Sequence, residues 1–325
     1  MAIGDPEKSP HPVVAMGWLI NHIRNFVESI AKDNKSKLKV GGFFISFLLI
    51  LTSGFSGWCV ERLATTEDPY ISILGKILLL IGLSSSIAYK SLKKSVIDVL
   101  NAIPNEPESA TKNIKFARNK LSKIVGRDVQ NLNKEEILRA TAESASENSV
   151  DGVFAPIFWM TIGGIFWHAS INLPGPLSFA FIFKASSTID SMVGYKIGRL
   201  RWLGYSGAKL DDFLTWIPCR LVLISLPIVS RPWRLAPELI KSAWEDGSKD
   251  QSPNSGLSEA IFAHCLRIRM GGENIYHGNK TIKVVLAENE PEASKESIIK
   301  LLNAIFRLEL LWILIILFFK QLNII

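Results

Sequence analysis

From Val40 to Val60 the chain reads VGGFFISFLLILTSGFSGWCV, 21 residues without a charge. At the rise of an α-helix such a run crosses a hydrocarbon core of about 30 Å. This stretch sets the solvent, and the rest of the chain is read against a bilayer. Tyr70 to Tyr89 is a second candidate span, with Lys76 as its only charge. Val153 to Phe183 is a third apolar tract, interrupted by His168 and the Pro174-Gly175-Pro176 turn. It reads as two short hydrophobic helices or a re-entrant pair. Phe213 to Ser230 is weaker, because Arg220 and two prolines lie inside it, and a re-entrant course is favoured there. Leu308 to Phe319, beginning near Ile305, is the last apolar run before Lys320. The expected fold is all-α: a polytopic helical membrane protein with about four to five hydrophobic helices plus amphipathic and soluble helical segments.

Composition agrees. The chain is 48% hydrophobic with nine tryptophans and a mean hydropathy of +0.22, too apolar for an ordinary soluble enzyme. Its 21% charged residues are too many for a pure bundle of spans. The first 39 residues hold no uninterrupted apolar run, so no cleavable signal peptide is expected. They carry an amphipathic pattern instead: Met16, Leu19, Ile20, Ile23, Phe26, Val27 and Ile30 oppose Asn21, Arg24, Asn25 and Glu28. Lys32, Lys35, Lys37 and Lys39 precede the first span, and Lys90, Lys93 and Lys94 come after the second. By the positive-inside rule both flanks, with the N-terminus and the 90–140 segment, are cytoplasmic in a multi-pass protein of the cell membrane. The net charge of +7 is topological and no nucleic-acid footprint, since no basic stripe interleaves with exposed aromatics.

The implied organisation is an amphipathic N-terminal segment (1–39), a transmembrane hairpin (40–89) and a cytoplasmic helical segment (90–140). A membrane-associated region carrying most polar motifs (141–230), a polar loop region (231–300) and a C-terminal transmembrane helix (301–325) complete it. Asn133-Lys134-Glu135-Glu136 resembles a helix start. Within 231–300, Ser252-Pro253-Asn254-Ser255-Gly256 and Gly271-Gly272 read as turns, and only Thr281 to Leu286 looks β-like. Cys59, Cys219 and Cys265 show no metal or disulfide spacing and read as buried small hydrophobes.

Several polar groups stand out beside the apolar tracts. If the chain is helical there, Glu143, Glu147 and Asp151 fall at i, i+4 and i+8 on one face, where like charges beside a low-dielectric region need a cation or a cationic substrate. A solvated helix end is the plain alternative. Lys184, Ser187, Thr188 and Asp190 cluster after an apolar helix, with residue types suited to a phosphate and its Mg²⁺. A polar membrane-edge loop explains them equally well. Asp211 and Asp212 precede a helix in which Arg220 sits in an apolar setting, as a functional group or as half of a structural pair. His11 lies between prolines, either as a proton carrier or merely exposed. The other histidines fit no ligand spacing, and the chain lacks GxxxxGK[ST], GxGxxG and HExxH, so any ATP chemistry uses an unfamiliar site.

Taken in order, these pieces resemble one family, the cobinamide-phosphate synthases of cobalamin biosynthesis, the CbiB/CobD type. The matching pieces are Gly4-Asp5-Pro6, Pro10-His11-Pro12-Val13, Met16-Gly17, and Glu143-Ser-Ala-Ser-Glu147-Asn148 through Asp151-Gly152 and Ala155-Pro156. Lys184 through Tyr195, Leu210-Asp211-Asp212, Trp216-Ile217-Pro218, Ser252 through Gly256 and Gly271-Gly272 continue the set. The resemblance implies an ATP-dependent amide ligase that joins a propionate carboxylate of adenosylcobyric acid to aminopropanol or its O-phosphate, giving adenosylcobinamide or its phosphate. It implies ATP and Mg²⁺ as co-substrate and metal. Glu143, Glu147, Asp151, Lys184 and Asp190 would be catalytic, and Asp190, Asp211 and Asp212 would hold metal. His11, Asn148, Ser187, Thr188, Arg220 and Asn254 would bind substrate or phosphate. Ser187 departs from the family's usual asparagine, which would suit a different amine such as an ethanolamine derivative, and Cys219 replaces a small alanine. A non-catalytic sensor or transport-type relative, AmpE-like, is the alternative, but it has no need to keep this polar set together.

Overall fold

The structure is a computed structural model that describes residues 12–104, 110–195, 197–276 and 278–321. In chain order the helices are α1 (Pro12–Ala31), α2 (Lys35–Ala64), α3 (Pro69–Ser86), α4 (Tyr89–Ala102), α5 (Ala110–Leu121) and α6 (Lys134–Ser149). A π-helical turn (Val150–Phe154) leads into α7 (Ala155–Ala169), followed by α8 (Pro176–Val193), the short α9 (Leu200–Leu203) and α10 (Tyr205–Ser230). Then come α11 (Ala236–Gly247), α12 (Ser255–Leu266), the strands β1 (Met270–Tyr276) and β2 (Asn279–Leu286), and α13 (Lys295–Gln321). Five helical stretches are long and apolar enough to cross a bilayer: 35–64, 69–102, 134–169, 205–230 and 295–321. The chain is an all-α polytopic membrane protein with one small hairpin among the described residues.

The chain divides into two compact units. The first holds the described residues of Met1–Ala88, Ala155–Thr215 and Ile316–Ile325; the second holds those of Tyr89–Phe154 and Trp216–Ile315.

In the first unit, α1 forms because its apolar positions recur at helical spacing. Met16 and Ile20 bury against Leu49 of α2 and Phe181, Ala185 and Ile189 of α8. Phe43, Phe44, Phe47, Leu51 and Phe55 of α2 remain exposed, as befits side chains that face acyl tails. Its buried face is lined by small residues. A Cβ at Gly57 would stand 2.7 Å from the backbone of Ser178, so the glycine is what lets α2 and α8 touch. Close approach has a second consequence. Helix α8 begins at Gly175-Pro176 with no side-chain cap of its own, and its orphan donors are met by Glu61 from α2. The Glu61 carboxylate is 1% exposed and accepts from the amides of Gly175 (2.8 Å), Leu177 (2.6 Å) and Ser178 (3.2 Å), and from the Ser178 hydroxyl (2.7 Å). At the same end, Asn172 accepts from Arg62 through Oδ1 (2.7 Å) and from the Trp58 indole through its carbonyl (3.0 Å). The 153–183 tract is thus two helices around the Pro-Gly-Pro turn, one of the two readings allowed above.

Two expectations are corrected. The 213–230 segment is not re-entrant: α10 runs unbroken through Pro218 and Pro227. Each proline removes one backbone bond, and Cys219, Val222, Leu223 and Leu226, all buried between the two prolines, hold the helix against that loss. The 231–300 region is not a loop. Nine of the twelve residues of α12 are buried, and β1 pairs antiparallel with β2. Gly271-Gly272, read as a turn, instead lies within β1 where the register shifts between Met270 and Gly272. The hairpin turns at Gly278, whose φ is +77°.

Glu61→Ala leaves three buried amides without acceptors and is expected to lower unfolding stability by about 3 kcal/mol. Thermal unfolding in detergent is the measurement. Glu61→Gln, which keeps one acceptor oxygen, should fall between Ala and the parent.

Candidate functional site

The second unit contains a charged pocket, and helix α6 builds most of it. The helix starts with a reciprocal cap: Asn133 Oδ1 accepts from the Glu136 amide (2.8 Å), and Glu136 returns by accepting from the Asn133 amide (2.7 Å). From that start Arg139, Glu143 and Glu147 recur at four-residue spacing on one face. That face meets the 124–128 segment, α12 and the hairpin. Together they line a partly open cavity of about 90 Å³ with Arg127, Glu143, Glu147, Glu259, Tyr276 and Lys283 in its walls and Asn148 and Ser144 at its side.

Glu143 anchors the arrangement. It is 4% exposed; one oxygen accepts from the Gly271 amide at 2.8 Å, and the other pairs with Arg127 Nη2 at 2.8 Å. Arg127 also donates to Asn274, while Arg139 donates to the carbonyls of Gly271 and Glu273, the latter at 2.7 Å. Gly271 has φ +83°, and a Cβ there would collide with the Val284 carbonyl. The glycine is therefore needed for both the conformation and the close approach. Asp128 ties the 124–128 segment to the hairpin by donating its amide to the Ile275 carbonyl (2.9 Å) and accepting from the Gly278 amide (2.8 Å).

Deeper in the pocket, Glu259 of α12 is 1% exposed and pairs with Lys283 at 3.0 Å. Burial pushes the Glu259 carboxyl up to about 8; Lys283 opposes the rise, and Glu143 and Glu147 add to it. For Lys283, burial acts to lower its pKa, but Glu259 and then Glu147 outweigh it and hold the ammonium above its ordinary value. Glu147 lines the same pocket on its accessible side; among the described residues it makes no hydrogen bond or close ion pair, and Lys283 and Arg127 act on its charge through space. The set can hold a small charged ligand and offers a carboxylate as proton acceptor.

The residues singled out from the sequence fall into separate groups. Glu143, Glu147 and Asn148 line the pocket. Asp151 does not; it lies in the π-helical turn, whose wider winding carries Asp151 and its successors off the α6 face. Arg220 stacks over Trp216 at 4.5 Å and donates to Asn254 Oδ1 (2.6 Å) and the Pro253 carbonyl (3.0 Å), fixing the 252–254 turn. Cys219, buried, donates to the Asn254 carbonyl.

In the first unit, Lys184, Ser187, Thr188 and Asp190 ride on α8, and the Thr188 hydroxyl bonds the Lys184 carbonyl at 2.6 Å. Asp211 and Asp212 lie on α10, Asp212 at 3.9 Å from Lys209. No group of three or more His, Cys, Asp or Glu among the described residues stands ready to hold a metal ion. His11 lies outside the described residues.

Arg127, Arg139, Glu259, Tyr276 and Lys283 were missed from the sequence. Glu259 had a signal, a lone acid in the apolar run Leu257 to Cys265; Arg127 had none.

The sequence profile described as CobD/Cbib protein matches residues 1–305. A cobalamin biosynthesis protein CobD of Synechocystis sp. is 39% identical over 286 residues, covering 88% of this chain and 78% of its own. A CobD of Halalkalibacterium halodurans is 36% identical, covering 85% and 79%. A cobalamin biosynthesis protein CbiB of Salmonella arizonae is 32% identical, covering 91% and 86%. No solved structure matches.

Because the folded Glu259 carboxyl titrates near 8 against an ordinary 4.5, its contribution to stability is complete below about pH 4.5. The contribution falls as pH rises toward 8. The difference in unfolding temperature between the parent and Glu259→Gln should therefore change across pH 5–8 and level off above it. Separately, Gly271→Ala should expose residues 270–286 to limited proteolysis.

Proposed function

The chain belongs to the CobD/CbiB family of cobalamin biosynthesis, and on that premise we propose that it is an ATP-dependent amide ligase acting on a corrinoid. It joins a propionate carboxylate of adenosylcobyric acid to aminopropanol or its O-phosphate, forming adenosylcobinamide or adenosylcobinamide phosphate. The observation that carries the reading is the pocket around Glu143, where three carboxylates and two cations converge in a small cavity. Such a set suits a reaction in which an ammonium must lose a proton before its nitrogen attacks a carbonyl.

A free carboxylate does not accept an amine at neutral pH, and ATP supplies the activation. The amide C–N bond then forms, the C–O bond to the activating group breaks, and the ammonium proton passes to a base. Glu147 is positioned for that last task by its lack of a partner among the described residues. Arg127 and Lys283 hold negative charge near it. Mg²⁺ enters as the nucleotide's ion. Such an ion takes phosphate oxygens, waters and one or two carboxylates, so it needs no three-acid cage. Asp190, Asp211 and Asp212 are the acids proposed for it, with Lys184 and Thr188 toward phosphate.

We also place 231–300 on the cytoplasmic face with 90–140. Residues 124–148 and 259–283 line one pocket, so a bilayer cannot separate them. In a cysteine-free background, Lys123→Cys and Lys280→Cys, both exposed, should label with an impermeant maleimide in inside-out vesicles and not in intact cells.

The direct test is detergent-purified protein with adenosylcobyric acid, ATP, Mg²⁺ and aminopropanol O-phosphate, with the product identified by mass. Product with matched ATP consumption is expected, reduced on the order of 100-fold in Asp190→Asn. No product from folded protein with either amine would overturn the ligase.

A further inference from the structure

Helix α2 begins its uncharged run at Val40, and the two lysines before it, Lys35 and Lys39, stand one turn apart on one face. The short α9 is seated against that end of α2. Its Leu203 buries with Leu38 and Ile45, and a Cβ at Gly42 would overlap the Leu203 carbonyl, so α9 lies directly on the α2 backbone. This seat fixes where Arg201 and Trp202 stand. Lys39 Nζ is 5.1 Å, Lys35 Nζ 5.4 Å and the Arg201 guanidinium 5.3 Å from the centre of the Trp202 indole. Lys39 is also 5.3 Å from the centre of the Tyr205 ring.

Three cations thus gather on one indole. Its π face attracts each of them but carries no formal charge to neutralise any. The acids nearest in sequence are engaged elsewhere: Asp33 pairs with Arg199 at 2.8 Å, and Glu28 with Arg24 at 2.7 Å. Lys35, Lys39 and Arg201 are exposed, and among the described residues they have no ion pair. Like charges held together this way repel one another, so the cluster lacks an anion.

The surface below the cations selects the kind of anion. The four-residue row that carries Lys35 and Lys39 continues with Phe43 and Phe47, which are 62% and 51% exposed, their rings 6.2 Å apart. A row that opens with two cations and goes on as bare aromatics matches a molecule with an anionic head and an apolar tail. A free phosphate would use only the head of that row. Tryptophan and tyrosine beside the cations are the residues that settle at the level of lipid headgroups.

We propose that Lys35, Lys39 and Arg201, gathered on Trp202, bind the phosphate of an anionic phospholipid whose acyl chain runs along Phe43 and Phe47. The occupant carries a net negative charge. A zwitterionic lipid brings its own cation and leaves the cluster uncompensated.

The test uses the full chain, purified in detergent and stripped of lipid. Phosphatidylglycerol, phosphatidylcholine and inorganic phosphate are titrated in separately, with bound lipid counted by native mass spectrometry and the unfolding temperature followed. Phosphatidylglycerol is expected to bind about tenfold or more tighter than phosphatidylcholine and to raise the unfolding temperature. Inorganic phosphate at the same concentration should leave that temperature unchanged. The triple variant Lys35→Gln, Lys39→Gln, Arg201→Gln should lose the preference for the anionic lipid, and Arg201→Gln alone should lose part of it. A control triple variant, Lys93→Gln, Lys115→Gln, Lys123→Gln, removes the same charge from exposed positions elsewhere and should keep the preference. All three side chains of the site are exposed, so its triple variant should unfold at the parent's temperature in the absence of lipid.

Equal affinity of the parent for the two lipids would overturn the site without recourse to any variant. Equal loss in the two triple variants would reduce it to diffuse surface charge, and a temperature rise reproduced by inorganic phosphate would replace the lipid with a free anion; either result overturns the proposal.

Discussion

Everything in the second unit that bears on chemistry depends on where the Glu143 carboxylate is held. It is buried and ionic, a combination tolerated only when each oxygen has a partner of good geometry. One oxygen takes the Gly271 amide and the other takes Arg127. Through the first contact α6 fixes the hairpin, and through the second it fixes the 124–128 segment. Arg139, one turn earlier, closes the loop by donating to the Gly271 and Glu273 carbonyls. The Gly271 bulge is thus gripped at both its amide and its carbonyl. Loss of the carboxylate would strand a buried guanidinium and a buried amide together, which is far worse than never having placed them there.

This contact also explains a pairing of sequence pieces that lie 128 residues apart. Along the chain, Gly271-Gly272 has the look of an ordinary turn and Glu143 that of one acid among three. In space they are donor and acceptor of one bond. The left-handed φ at Gly271 aims the amide at Glu143, and the missing Cβ lets the Val284 carbonyl approach from the other side.

The spans were legible because length and charge decide them. A run such as Val40 to Val60 has no soluble alternative, and the Asn133 cap announces α6 with a local rule. The Glu147 side of the pocket was legible for the same reason, as helical spacing. Its other wall was not. Arg127 lies in an irregular segment, and nothing near it in sequence says that it will meet Asn274. Lys283 sits in a strand whose partner β1 is rich in glycine and polar residues and shows no alternation. The displacement of Asp151 was hidden too, because a π-helical turn has no residue signature of its own. The polarity of 231–300 misled most: α12 is buried within it, and the flanking Lys249, Asp250, Arg267 and Arg269 outweighed its apolar middle.

The acids themselves can be ordered by how many donors the protein gives them, and that order separates scaffold from function. Glu61 receives four hydrogen bonds and caps a helix. Glu143 receives an amide and a guanidinium and holds the hairpin. Glu259 receives Lys283. Glu147 receives none among the described residues, although it sits one helical turn from Glu143 on the same face. A carboxylate beside two others gains nothing structural from standing unpaired; it adds repulsion that its neighbours must absorb. Lys283 and Arg127, which line the same pocket, offset part of that repulsion through space, so Glu147 is the acid that the scaffold holds least tightly.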